Sequence, residues 1–180
     1  NVVATATIAP LAGVLTLGDY ILSANVYGPD GRLAGAILVA VLALANAHFD
    51  PVQVGALRSA VERLQQSGRL RVAFPDLTRR RLAERLGEEF RSGACHAGRY
   101  ESSILLACRP ELVDNAARIL LPPLPVSLVE AAGRGEKTFE EAGLTLAYCG
   151  DPAAASVEEG RALVAELGAI LAEAVRAELG

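Results

Sequence analysis

The chain has 180 residues, enough for one domain with a substantial core; 52 % are apolar and only 4 % aromatic. That composition excludes a disordered chain and favours a compact α/β or all-α protein. A net charge of −4 with no evident basic face argues against a nucleic-acid partner. The cluster Arg79-Arg80-Arg81 sits among acidic neighbours and is expected to be a solvated helix face. The longest apolar run, Leu33 to Ala45, falls short of the ~20 residues that a membrane helix needs. No basic segment follows Asn1, so neither a signal peptide nor a membrane partner is expected. Cys95, Cys108 and Cys149 are odd in number and form no CxxC pair, which points to the reducing cytoplasm. Positive mean hydropathy without a spanning segment points to extra buried surface, as in an oligomer. The chain contains no methionine, even at position 1. Residues 1–180 are therefore expected to form a single domain whose N-terminal segment is incomplete.

In chain order, Val2–Ile8 alternates β-branched residues with alanine and predicts a strand. Gly28-Pro29-Asp30-Gly31 is a turn signal. Ala36–Ala45 is apolar on every face, as in a strand buried between helix layers, although a buried helix has the same pattern. After Asp50-Pro51 the periodicity becomes helical, with Val52, Ala56, Leu57, Ala60, Val61 and Leu64 on the expected buried face. Ser67-Gly68 ends that helix, and Leu70–Phe74 predicts the next strand. A second amphipathic helix carries Leu82, Ala83, Leu86 and Phe90. Ser102–Cys108 predicts a short apolar helix that stops before Pro110. Pro122, Pro123 and Pro125 mark an irregular stretch, and Leu144–Tyr148 predicts a late strand. In the last helix Ser156 and Glu159 form a capping box, and Leu163, Leu167, Ile170, Leu171, Ala174 and Val175 form the buried stripe. Strands and helices alternate at intervals suited to βαβ units, which implies a mainly parallel sheet with both faces covered. Ligands then bind beyond the carboxyl ends of the strands, in the loops after Ala45 and Phe74.

Two segments carry candidate chemistry. In Asn46-Ala47-His48-Phe49-Asp50-Pro51, His48 and Asp50 stand two apart in a strand-end loop and can turn towards one cation. Imidazole and carboxylate suit zinc, manganese or iron. The same residues also read as a helix N-cap at Asp50 and a hydrogen-bonded interior histidine. In Cys95-His96-Ala97-Gly98-Arg99-Tyr100-Glu101-Ser102-Ser103, His96 suits general acid–base work at neutral pH, and Glu101 can orient a ligand or bind substrate amides. Alternatively, Gly98 shapes a loop and Glu101 stabilises the N-terminus of the following helix. The protein has only two histidines, and each lies near a carboxylate in a predicted loop.

These segments resemble motifs of the creatininase (creatinine amidohydrolase) family. Asn46–Pro51 is similar to its Asn-Gly-His-Gly-Gly-Asn or Asn-Gly-His-x-Glu-Asn motif. His96–Ser103 resembles His-Ala-Gly-x-x-Glu-Thr-Ser, with Ser102 in place of threonine. Gly150-Asp151-Pro152, Ala155, Glu159 and Gly160 resemble the C-terminal Gly-Asp-Pro-x-x-Ala-x-x-Glu-Gly segment. Leu11–Gly18 loosely resembles Phe-Pro-Gly-Thr-x-x-Leu. The resemblance covers roughly residues 36–180 and implies a three-layer α/β/α fold with a mainly parallel central sheet, usually in a homo-oligomer and often a hexamer. It implies metal-dependent hydrolysis of non-peptide or unusual C–N bonds in a small amide substrate. Activities in the family include creatinine ring opening, deformylation, and cleavage of the mycofactocin precursor peptide. By the same resemblance His48 ligates a divalent metal (zinc, manganese or iron, two per site in some members), with Asp50 where some members place a ligating glutamate. His96 shuttles a proton near the substrate, Glu101 supports it, and a metal-bridging hydroxide attacks. The family's Glu-x-His-Gly-x-His-Leu-Pro and Gly-x-Ser-x-x-His segments have no counterpart in these residues. The expectation is thus an amidohydrolase, the alternative being a catalytically degenerate member that serves as a structural or small-molecule-binding subunit. A Rossmann-like nucleotide binder would need a GxGxxG or Walker motif, and neither occurs.

Overall fold

A computed structural model describes residues 41–180 apart from His48, Asp50 and Arg69. The predicted strand at Val2–Ile8, the turn at Gly28–Gly31, the Leu11–Gly18 segment and residues 36–40 of the apolar run lie outside the described residues. The chain divides into two compact units. The first contains β1 (Val41–Ala43), α1 (Pro51–Gln66), β2 (Arg71–Ala73) and the C-terminal residues Val175–Gly180. The second contains residues 45–49 and Pro75–Ala174.

In the first unit β1 and β2 pair in parallel, Val41 opposite Arg71 and Ala43 opposite Ala73. Parallel neighbours cannot be joined by a tight turn, and here the crossover is the helix α1, which packs on β2. Val72 and Ala73 are buried, as are Val54 and Val61 of the helix. The buried face of α1 therefore runs through Val54, which the predicted face omitted, while Val52, placed on that face, is 80 % exposed. Ser67 and Gly68 end the helix as expected: the Ser67 hydroxyl donates to the Leu64 carbonyl at 2.6 Å. The Arg71 guanidinium donates to the last helical carbonyls, Glu178 at 3.0 Å and Leu179 at 3.3 Å.

The second unit is helical. The predicted amphipathic helix after Phe74 is broken into α2 (Arg80–Ala83), a 3-10 turn (Glu84–Leu86) and α3 (Glu88–Ser92). The break falls at Gly87, whose φ of 92° is open to glycine and costly for other residues. The predicted apolar residues survive the break, since Leu82, Ala83, Leu86 and Phe90 all enter one core with Leu77, Tyr100, Leu163 and Ile170. Arg79, Arg80 and Arg81 stay exposed, with Arg79 paired to Asp76 and Arg80 to Glu84. Next come α4 (Arg99–Cys108), a 3-10 turn (Pro110–Leu112), α5 (Asn115–Arg118), α6 (Leu128–Gly133) and the 23-residue α7 (Val157–Leu179). Arg85 joins the 3-10 turn to α7 by pairing with both Glu166 and Glu173.

The predicted strand at Leu144–Tyr148 is not formed. Leu144 and Tyr148 are both buried while Leu146 is 63 % exposed, which breaks the alternation that a strand requires. The segment is coiled instead: the Ala147 amide donates back to the Leu144 carbonyl at 3.1 Å, and Ala147 has a φ of 55°. Among the described residues of the second unit, extended pairing is confined to one antiparallel bridge, Leu124 to Gly150. The described residues thus show an α/β arrangement with a two-stranded parallel sheet. None of their helices is long and apolar enough to cross a membrane.

The start of α7 meets α4 tightly at Gly160, where a Cβ would overlap the Ser103 carbonyl and come within 2.8 Å of the Ala107 side chain. Both contacts belong to helix interiors, so neither can yield without moving backbone. Gly160→Ala is expected to destabilise the protein by about 1–3 kcal/mol, the usual penalty for overpacking. Urea unfolding would register this as a lower midpoint at unchanged slope.

Candidate functional site

His96 stands in the short loop that leads from α3 into α4, and that loop is held on three sides. The His96 carbonyl accepts from the Cys149 amide at 2.8 Å, while the His96 amide donates to the Cys149 sulfur at 3.3 Å. The next residue, Ala97, has a φ of 49°, a left-handed conformation that costs a residue with a Cβ roughly 1–2 kcal/mol. Its amide is turned towards the helix and donates to Glu101 Oε2 at 2.7 Å. Glu101 therefore secures the loop from the first turn of α4, where its charge also suits the helix dipole. The imidazole of His96 is half-buried and stacks on Phe139, with ring centroids 4.9 Å apart and planes inclined by 20°. Ser102, in the position of the family's threonine, directs its hydroxyl back to the Ala97 carbonyl at 3.4 Å.

Behind this loop the expected capping box of α7 takes a different form. Ser156 accepts from the Glu159 amide at 3.1 Å, as predicted. The return contact, from Glu159 to the Ser156 amide, is replaced by the buried hydroxyl of Ser103. Ser103 Oγ accepts from the Ser156 amide at 3.1 Å and donates to Glu159 Oε2 at 3.1 Å. The same carboxylate oxygen accepts from Arg99 Nε at 2.6 Å. Arg99 and Ser103 come from the second sequence motif, Ser156 and Glu159 from the third. The two segments are one structural assembly.

Glu89, which no sequence pattern singled out, completes the assembly. Its carboxylate accepts from the Tyr100 amide at 2.8 Å and from the Asp151 amide at 2.6 Å. Asp151 in turn accepts from the Ala154 amide at 3.2 Å and so caps the 3-10 turn at Pro152–Ala154. Burial pushes the Cys95 thiol up to about 12, with a further push from the nearby Glu101, and burial also raises the Cys149 thiol. Both are therefore protonated at neutral pH.

Of the four sequence-derived site residues, His96 and Glu101 lie together in this loop. His48 and Asp50 lie outside the described residues. Phe49, between them, packs edge-on against Phe90 at 5.1 Å, and Phe90 also meets Tyr100 at 4.7 Å. An aromatic cluster thus joins the chain of the first motif to the helix that carries the second. Among the described residues no group of three or more His, Cys, Asp and Glu side chains is arranged to hold a metal ion. A metal site would have to draw on donors beyond them.

A family model described as creatinine amidohydrolase matches residues 39–175, and so spans all three motifs. The chain belongs to the creatininase family. Comparisons with curated proteins and with solved structures each gave no match. Creatininase-family members are amidohydrolases, and the family pattern now has a physical basis in this chain. Gly150 is required because a Cβ there would strike the Glu89 carboxylate. Glu159 and Gly160 are required by their contacts with Ser103.

The thiols provide a check on this geometry. A group moved from its ordinary 9.0 to about 12, as at Cys95, carries roughly a thousandfold less thiolate at neutral pH. In native protein a disulfide reagent is expected to label the exposed Cys108 quickly, and Cys95 and Cys149 only after denaturant is added. The folded state keeps the Cys95 proton above the pH at which the unfolded chain releases it. Stability is therefore expected to fall as pH rises through 9 towards 12, as urea unfolding at several pH values would show.

Proposed function

We propose that the protein is a metal-dependent amidohydrolase that opens a small cyclic amide, formamide or related non-peptide C–N bond. The observation that carries this reading is the fixed presentation of the His96 imidazole. Its backbone is locked on both sides by Cys149 and Glu101, and one ring face is covered by Phe139. In this reading His96 is the catalytic residue: it takes a proton from the attacking water and returns one to the leaving nitrogen. Glu101 acts as a positioning residue, since its carboxylate holds the Ala97 amide.

The metal, zinc, manganese or iron and two ions per site in some relatives, would draw on His48 and Asp50, with Asp50 one methylene shorter than the family's glutamate. When bound it supplies an activated water at neutral pH. The complete chain is proposed to adopt the three-layer α/β/α arrangement as a homo-oligomer, a hexamer by family analogy, in the cytoplasm, without nucleic-acid or membrane partners. Support for self-association comes from Leu112, Ile119 and Leu120, which are 63 %, 54 % and 80 % exposed within one short stretch of the second unit. Asp50, one methylene shorter than the family's ligating glutamate, favours a second reading. In that reading the chain is a catalytically degenerate member that acts as a structural or small-molecule-binding subunit.

Elemental analysis of unchelated protein, paired with a screen of cyclic amides and formamides, separates the two readings. The hydrolase reading expects one or two equivalents of metal per chain and turnover of one substrate class. His96→Ala should lower that turnover by about 10²–10⁴-fold, the usual contribution of a general acid–base group, while the metal content stays constant. Asp50→Asn, which retains the capping ability of the side chain, should weaken metal uptake. Protein that is folded but refuses added zinc and manganese would leave the degenerate-subunit reading standing.

A further inference from the structure

Glu89 lies on the short helix α3, seven residues before His96, and takes no part in the sequence motifs. Its two carboxylate oxygens are divided between two distant backbone amides. Oε1 accepts from Tyr100, in the first turn of α4, and Oε2 accepts from Asp151, directly after the turn that holds the His96 backbone. The glycines on either side leave room for nothing else. A Cβ at Gly98 would lie 2.7 Å from Oε1 and 2.5 Å from the Cys149 carbonyl, and one at Gly150 would overlap Oε2. The carboxylate therefore fills the gap between the two segments that grip His96.

We propose that Glu89 is the positioning residue for His96, an anionic clamp that joins the start of α4 to the Cys149–Asp151 turn and so fixes the imidazole against Phe139. This assignment rests on the proposed role of His96. Only a carboxylate meets the requirement. Both partners are N–H donors, and ionised oxygen accepts each in a strong, charge-assisted bond. A glutamine would turn its own NH₂ group towards one of the two donors. An aspartate is one methylene too short to span both.

The test follows the imidazole itself and does not depend on finding a substrate. The histidine ring resonances of the full chain are recorded by NMR, with His96→Ala supplying the assignment. Stacking on Phe139 should move the His96 ring protons upfield by ring current. In Glu89→Gln those protons should shift towards the position of free imidazole. The Tyr100 and Asp151 amides should exchange faster by about tenfold or more, the factor expected when a hydrogen bond to a charged acceptor is lost. Val54→Ala, which removes buried side-chain volume from α1 in the first unit, serves as the control and should leave the His96 ring in place. Unchanged ring shifts and exchange rates in Glu89→Gln would overturn the proposal. So would an equal displacement of His96 in the Val54→Ala control, because the effect would then be general loosening. Should Glu89→Gln fail to fold, the unsubstituted protein decides: Tyr100 and Asp151 amides exchanging as fast as exposed loop amides would refute the clamp. A protein without amidase activity that still shows these changes would sink the hydrolase reading and keep the clamp.

Discussion

One hydroxyl, Ser103 Oγ, holds together the part of the second unit on which the candidate site depends. It is wholly buried between α4 and α7, receives the Ser156 amide and donates to Glu159. An amide at a helix start cannot be left unpaired inside a protein without a penalty of about 1–3 kcal/mol. In an isolated helix the capping-box glutamate would satisfy it. Here the glutamate is turned outward to Arg99, and a serine from another helix takes its place. The cap of α7 is thereby complete only when α4 is docked, which couples the formation of one helix to the placement of the other. Gly160 permits the approach, because its missing Cβ is the space that the Ser103 carbonyl occupies.

With α4 so placed, the loop in front of it has little freedom. Ala97 adopts a left-handed conformation that a chain of alanine would avoid, and that unfavourable energy is offset by bonds on either side of it. Glu101 takes its amide, and Cys149 exchanges two contacts with the residue before it. Strained backbone next to a half-buried imidazole is a common feature of functional loops, since a relaxed loop would let the ring wander. The strain falls between two anchors: Glu101 belongs to the second family motif, and Cys149 immediately precedes the third.

Much of the architecture was legible from the sequence because it rests on local periodicity. The stripe through Leu163 and Ile170 is buried as its spacing predicts, and so are Leu82, Leu86 and Phe90 despite the break at Gly87. The readings that failed did so where tertiary contacts overrode pattern. In α1 two valines near its start, Val52 and Val54, offered alternative faces, and the face through Val54 was buried in preference to that through Val52. Leu144–Tyr148 has strand-like composition, yet a bond from the Tyr148 hydroxyl to the Pro122 carbonyl at 2.6 Å and a turn at Ala147 coil it. His96 and Glu101 lie together in one loop because their spacing in the chain is short and Glu101 holds the Ala97 amide. Glu89 was not legible in the sequence. Its partners are backbone amides eleven and sixty-two residues away, and contacts to backbone leave no signature in the identity of the partner residue.

The arrangement also distinguishes between two ways of cleaving an amide. A cysteine beside a histidine suggests a nucleophilic thiolate, and Cys149 touches His96 closely enough to raise that idea. The contact, however, is to the backbone amide of His96, which donates to the sulfur at 3.3 Å. Thiolate chemistry requires a thiol whose pKa has been lowered by an adjacent cation or helix terminus. Here burial raises both Cys95 and Cys149, and the nearby carboxylates Glu89 and Glu101 push in the same direction. Every electrostatic influence on these sulfurs from that acidic pair opposes ionisation. The cysteines are therefore packing groups that shape the loop. That leaves the His96 imidazole, which the proposed function assigns to proton transfer, as the side chain beside which no ionisable thiol competes.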